Sequence, residues 1–194
     1  MRIGLFGGAF NPPHLAHLIV AESARVHAGL DRVLWIPTGR PPHKPETPLA
    51  PSTDRLEMVA RAITGNPYFE LSDVEVTRPG ASYMVETISI LKTQRSEQRF
   101  DLIIGGDSLH AFHTWFRFRE IVRQVGLVVF DRSGLDYSEV DEDIMAAVKW
   151  IPNPPLLEIS SSDIRARIAA GKSIRYLVPE SVEHYIRRRD LYSA

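Results

Sequence analysis

The chain has no cysteine among its 194 residues. That excludes a disulfide framework and any thiolate metal centre, and it fits a reducing compartment. Neither sign of charge is in surplus: 23 Lys and Arg against 24 Asp and Glu leave a formal net charge of −1. Long-range attraction to nucleic acid or an anionic membrane is therefore not expected, and any anion must be held by a local cluster. No apolar run approaches the roughly 18–20 residues of a membrane span. No basic and apolar leader precedes the first strand-like run. Two nucleotide-binding signatures are missing as well. Gly4, Gly7 and Gly8 fall short of Gly-x-Gly-x-x-Gly, and Gly171-Lys172-Ser173 lacks the upstream glycine of a P-loop because Ala166 stands there. The expectation is a cytoplasmic protein that engages neither nucleic acid nor membrane; a homo-oligomer stays open.

What the chain has is a regular alternation. Strand-length apolar runs occur at residues 3–6, 33–36, 69–76, 102–104 and 127–130, several of them continuous. Continuous runs suit strands covered on both faces of a parallel sheet. Helix-length segments at 15–27, 52–63 and 83–93 lie between them, and Ser52-Thr53-Asp54 predicts an N-cap for the second. From Ser161 onward two helices are expected, broken near Gly171 and restarted at Pro179-Glu180. The pattern predicts one Rossmann-like, doubly wound α/β domain over 1–194, with a mainly parallel sheet and C-terminal helices. Its ligand crevice should lie at the carboxyl ends of the strands. Residues 38–51 hold five prolines with His43 and Lys44 and read as a surface loop beside that crevice.

Residues 7–18, Gly-Gly-Ala-Phe-Asn-Pro-Pro-His-Leu-Ala-His-Leu, leave the first strand through a turn into a helix. Gly7 and Gly8 can take positive φ or let a ligand touch the backbone. A strand, tight turn and helix start aim free N–H groups at an anion. His14 and His17 are three apart, so both can flank the first helical turn. The pair also reads as surface decoration, or as a zinc-binding His-x-x-His of which His110 and His113 form a second instance, although neither pair carries the Glu of the helical zinc-protease motif and no third ligand is evident. At the other end, Ser160-Ser161-Ser162 precedes a helical run carrying Ile164 and Ile168, with Arg165 one turn in. Serine hydroxyls, helix N–H groups and a guanidinium again suit phosphate, although a plain N-cap with a solvated arginine reads the same way.

Together, Gly-Gly-x-Phe-Asn-Pro-x-His-x-x-His and Ile-Ser-Ser-Ser-x-Ile-Arg resemble the motifs of the nucleotidylyltransferase superfamily. Within it the chain is similar to the bacterial nicotinate-nucleotide adenylyltransferases. Pro41-Pro42-His43-Lys44, Ser82-Tyr83, Gly105-Gly106-Asp107-Ser108 and Thr114-Trp115-Phe116 extend the resemblance over nearly the whole chain. It implies adenylyl transfer from ATP to nicotinate mononucleotide, giving deamido-NAD and pyrophosphate in NAD biosynthesis. It further implies that Gly7, Gly8, Ala9 and Phe10 line the nucleotide with backbone, and that Asp107 lies near the adenylate. His14 and His17 would contact the ATP phosphates, and Ser161, Ser162 and Arg165 the β- and γ-phosphates. His43 and Lys44 would reach in from the loop, and His14, His17, Lys44 and Arg165 form the implied catalytic set. For the acceptor, Trp115 would stack on the pyridine ring, beside Met84, with the N–H groups of Val85 and Phe116 facing its carboxylate. Mg2+ would be held mainly through phosphates and water. The rival readings are a nicotinamide-nucleotide or dual-specificity enzyme, a phosphopantetheine adenylyltransferase, a non-catalytic nucleotide sensor and a zinc hydrolase.

Overall fold

The computed structural model describes residues 1–42, 48–131, 135–155 and 157–193. His43 and Lys44 fall outside these. Six strands form one sheet: β1 (Arg2–Gly8), β2 (Arg32–Pro37), β3 (Phe69–Leu71), β4 (Arg99–Gly105), β5 (Gly126–Phe130) and β6 (Val148–Trp150). Their order is β3-β2-β1-β4-β5-β6, and every neighbouring pair is parallel. The chain therefore starts at the middle, winds outward one way and then returns to wind the other way. The adjacent edges of β1 and β4 are the switch point, where crossovers leave a crevice at the strand ends.

The helices are α1 (Leu15–Ala28), α2 (Ser52–Ile63), α3 (Met84–Gln94), α4 (Gly106–His110), α5 (Phe118–Gln124), α6 (Glu142–Ala146), α7 (Ser161–Ala169) and α8 (Glu180–Arg188). Because side chains alternate along a strand, each central strand feeds two cores. Leu34, Ile36, Leu102 and Ile104 pack with Val85, Ile88 and Ile121 on the α3 and α5 side. Val33, Trp35, Ile103 and Val128 pack with Ala21, Ala24 and Val59 on the α1 and α2 side. A third cluster joins Met58 of α2 to Ile164 of α7 and to Val182 and Ile186 of α8. The two C-terminal helices are thus anchored against α2, next to α1. Among the described residues no helix is long and apolar enough to cross a membrane.

Three local expectations need correction. The run at 69–76 yields a strand of only three residues, because the chain turns at residues 74–76, where the Thr77 N–H returns to the Asp73 carbonyl at 2.9 Å. β6 was invisible as an apolar run because Lys149 and Trp150 are exposed on the sheet's edge. The N-cap of α2 is Pro51, not a serine, and Asp54 instead turns inward to Tyr185 at 2.7 Å and Arg189 at 3.1 Å.

Candidate active site

A cavity of about 840 Å3 opens over the carboxyl ends of β1 and β4. Gly7, Gly8, Ala9, Phe10, His14, His17, Met84, Asp107, Trp115, Phe116 and Ser161 all line it. Residues from four separate sequence regions, predicted as site residues, therefore face one space. Ser162, Arg165 and Val85 are not among the lining side chains, and Val85 is buried in the core.

The turn after β1 forms one wall. Gly7 and Gly8 remain in the strand, and it is Phe10 that takes the left-handed conformation, with φ of 47°. The glycines serve by size instead: a Cβ on Gly7 would stand 2.8 Å from the Met84 methyl, and one on Gly8 3.1 Å from the Phe10 ring. His14 is the N-cap of α1, and its N–H donates to His17 Nδ1 at 3.2 Å. The two imidazoles stack with centroids 3.6 Å apart. A nitrogen that accepts a hydrogen bond cannot also carry the proton, so neutral His17 holds its proton on Nε2. Phe10 packs edge-on to the same ring at 5.2 Å, and the α1 N-terminus adds its own partial positive charge.

Distant side chains hold this wall from behind. Arg55 of α2 is 1% exposed and donates to three carbonyls: Ala9 at 2.8 Å, Ala50 at 3.0 Å and Gly39 at 3.2 Å. Burial pushes its guanidinium below the usual arginine value, with the charges of Tyr192 and Glu75 opposing. From α7, Ser161 Oγ donates to the Pro12 carbonyl at 2.8 Å and Arg165 Nη1 to the Asn11 carbonyl at 2.9 Å. Arg165 also reaches Ser162 Oγ at 3.2 Å. The serine triplet straddles the helix start rather than preceding it. Ser160 is the N-cap, accepting the Asp163 N–H at 3.0 Å, and Ser161 and Ser162 open the helix. Asp107 lies two residues beyond the end of β4, in the first turn of α4.

The opposite wall is aromatic. Trp115 lies on Phe112 with centroids 5.0 Å apart, and Phe116 on Tyr83 at 4.6 Å. Phe116 is 50% exposed. Tyr83 is the N-cap of α3, which puts the N–H groups of Met84 and Val85 in a first helical turn. At the base of this wall Glu75, 4% exposed, also lines the cavity, and its carboxylate accepts the Thr87 hydroxyl at 2.8 Å together with Ser82 and the Gly39 N–H. Burial pushes its carboxyl above the ordinary value despite those bonds and the nearby Arg78. A Cβ on Gly39 would lie 1.9 Å from the Glu75 carbonyl oxygen, so only glycine lets the two loops touch.

The sequence reading missed Arg55 and Glu75, although both leave a trace. Arg55 occupies the apolar stripe it shares with Met58, Val59 and Ala62, and Glu75 interrupts the apolar run at 69–76. Among the described residues no three His, Asp or Glu side chains stand together as a metal-holding group.

A parallel sheet of this order, with two helix starts and a histidine pair at its switch point, is an α/β architecture suited to binding phosphate groups. The cytidylyltransferase-like family matches residues 5–167, and the chain belongs to that family. It is 49% identical to a protein of Salinibacter ruber described as a probable nicotinate-nucleotide adenylyltransferase, over 99% of this chain and 98% of that one. A protein of the same description from Pelobacter propionicus is 42% identical, over 100% of this chain and 99% of that one. Among solved structures, the nicotinic acid mononucleotide adenylyltransferase of Plasmodium falciparum complexed with NaAD superposes with a TM-score of 0.80. That match covers 98% of this chain and 97% of the other at 18% identity, and so speaks for the fold.

Proposed function

We propose that the chain transfers the adenylyl group of ATP to nicotinate mononucleotide, releasing deamido-NAD and pyrophosphate. It would act in the cytoplasm as one nucleotidylyltransferase domain spanning residues 1–194. The observation that carries this reading is the cavity itself: a histidine pair at one helix start and serines at a second line one side, and stacked aromatic rings the other. The identity to relatives described by this activity supports it.

In the reaction, a phosphate oxygen of the acceptor attacks the α-phosphorus of ATP. The bond to the β-phosphate oxygen breaks, and pyrophosphate leaves with the electron pair. No protein nucleophile is needed, so the protein must align two anions and stabilise moving charge. His17 would present Nε2–H to the transferring group, with His14 stacked behind it. Gly7, Gly8, Ala9 and Phe10 would pass the nucleotide along the backbone, with Asp107 near the adenylate. Ser161 and the start of α7 would hold the β- and γ-phosphates, beside Ser162. Arg165, bonded to the Asn11 carbonyl, would brace the phosphate wall from the α7 side. His43 and Lys44 complete the set by resemblance alone. Magnesium would arrive with ATP as substrate, held by phosphate oxygens and water, and Asp107 is the exposed carboxylate at the cavity.

For the acceptor, the first N–H groups of α3, at Met84 and Val85, and that of Phe116 suit a carboxylate better than an amide. Trp115 offers a ring for pyridine stacking. A dual-specificity enzyme is the second reading, favoured by Met84, whose thioether brings little hydrogen-bonding power to the cavity. Incubation with MgATP and nicotinate mononucleotide should yield deamido-NAD and pyrophosphate in equal amounts by chromatography. No product, or ATP hydrolysis alone, would refute adenylyl transfer.

A further inference from the structure

The segment after α8 returns to the turn after β1. Tyr192 is 181 positions from Asn11, yet its hydroxyl donates to Asn11 Oδ1 at 2.8 Å. The same oxygen accepts the Ala50 N–H at 3.0 Å. Two donors on one atom fix the amide's orientation, since its nitrogen could accept neither. Burial raises the Tyr192 phenol well above its ordinary value, so it stays a donor at any working pH. The charges of Arg165 and Arg55 are the nearby opposing influence.

Tyr192 is placed there at a cost. Its φ is 67°, in the left-handed region that bulky side chains seldom adopt. The ring packs against the cluster of α2, α7 and α8, and it does not line the cavity. Asn11 itself is 2% exposed and takes Arg165 on its carbonyl. It is therefore a junction of three distant segments: the exit of the proline-rich loop at Ala50, helix α7 at Arg165, and the C-terminal segment at Tyr192. Three residues later comes His14, whose N–H orients His17.

We infer that Tyr192 is a positioning residue for adenylyl transfer. Its hydroxyl holds Asn11, and through it the turn at residues 10–14 that aims His14 and His17. The inference rests on the adenylyl-transfer reading for its consequence in turnover, but not for the tether. A shift of a fraction of an ångström at such a turn is enough to matter, because misplacement of about 1 Å costs up to ~100-fold in rate.

The test uses Tyr192→Phe, which keeps the ring and removes one hydrogen bond. Turnover should fall about 10-fold while the KM for nicotinate mononucleotide stays within about two-fold. In an Asn11→Ala background the same change should have no further effect, whereas in Asn11→Asp, which keeps an acceptor oxygen, it should again lower turnover. Without any substrate, amide exchange at Asn11 and His14, which flank the two prolines of the turn, should quicken about 10-fold in Tyr192→Phe. Wild-type turnover in Tyr192→Phe, independent effects of the Tyr192 and Asn11→Ala changes, or unchanged exchange would each overturn the inference. A wild-type protein without adenylyl transfer would instead overturn the reaction, and with it the role in turnover, while exchange would still decide the tether.

Discussion

The two walls of the cavity are built by different means. The wall proposed to hold the phosphates is a backbone turn whose carbonyls and amide are pinned by hydrogen bonds from residues 39 to 181 positions away. The wall proposed to hold the acceptor is two ring pairs and a helix start, with Phe116 half exposed. A hydrogen bond to a fixed carbonyl sets position far more narrowly than a ring stack, which tolerates sliding. The tightly pinned wall is the one where charge would move during transfer, and the looser wall only has to hold a ring.

That contrast can be broken by substitution. His17→Ala should have the largest effect. Losing one preorganised donor at developing charge costs about 100- to 1,000-fold in kcat, and the acceptor KM should stay within about three-fold. Turnover near wild type would remove His17 from the transfer step. Trp115→Ala should act the other way, raising the acceptor KM about 10-fold, as a lost ring stack of roughly 1–3 kcal/mol implies, with less effect on kcat. An unchanged acceptor KM would take the ring out of the acceptor site.

Glu75→Gln gives the smallest effect and sharpens the comparison through pH. The folded state raises this carboxyl above its ordinary 4.5, so it binds its proton more tightly than the unfolded chain does. Its favourable contribution is complete below pH 4.5 and is lost as pH rises through the raised value. Wild type should therefore lose stability relative to Glu75→Gln over that window, by no more than about 1.4 kcal/mol per pH unit. Denaturant titrations of both proteins across the window check this. A wild type that gains on the variant as pH rises would show that the three donors to Glu75 outweigh its burial.

Much of the fold was legible because its signals are local. Residues 33–36 and 127–130 are continuous apolar runs, and both are strands buried on two faces. The edge strand β6 and the truncated β3 were not, since exposed Lys149 and the turn at residues 74–76 are settled by tertiary context. Of the predicted site, the residues next to glycines and helix starts line the cavity. Arg165 instead bonds the turn at the Asn11 carbonyl and reaches exposed Ser162, and Val85 is buried in the core. Arg55, Glu75 and Tyr192 could not be placed from sequence, because their partners at Ala9, Gly39 and Asn11 are brought near only by tertiary folding. Their local trace, a polar group in an apolar stripe, marks burial without naming a partner.

The most direct test of the central claim offers nicotinate and nicotinamide mononucleotide in parallel with MgATP and follows pyrophosphate release. Nicotinate mononucleotide should be preferred in kcat/KM by about 10-fold or more, the discrimination expected when one carboxylate meets helix-start N–H groups. Equal use, a preference for the nicotinamide form, or no release with either would contradict the carboxylate-reading wall.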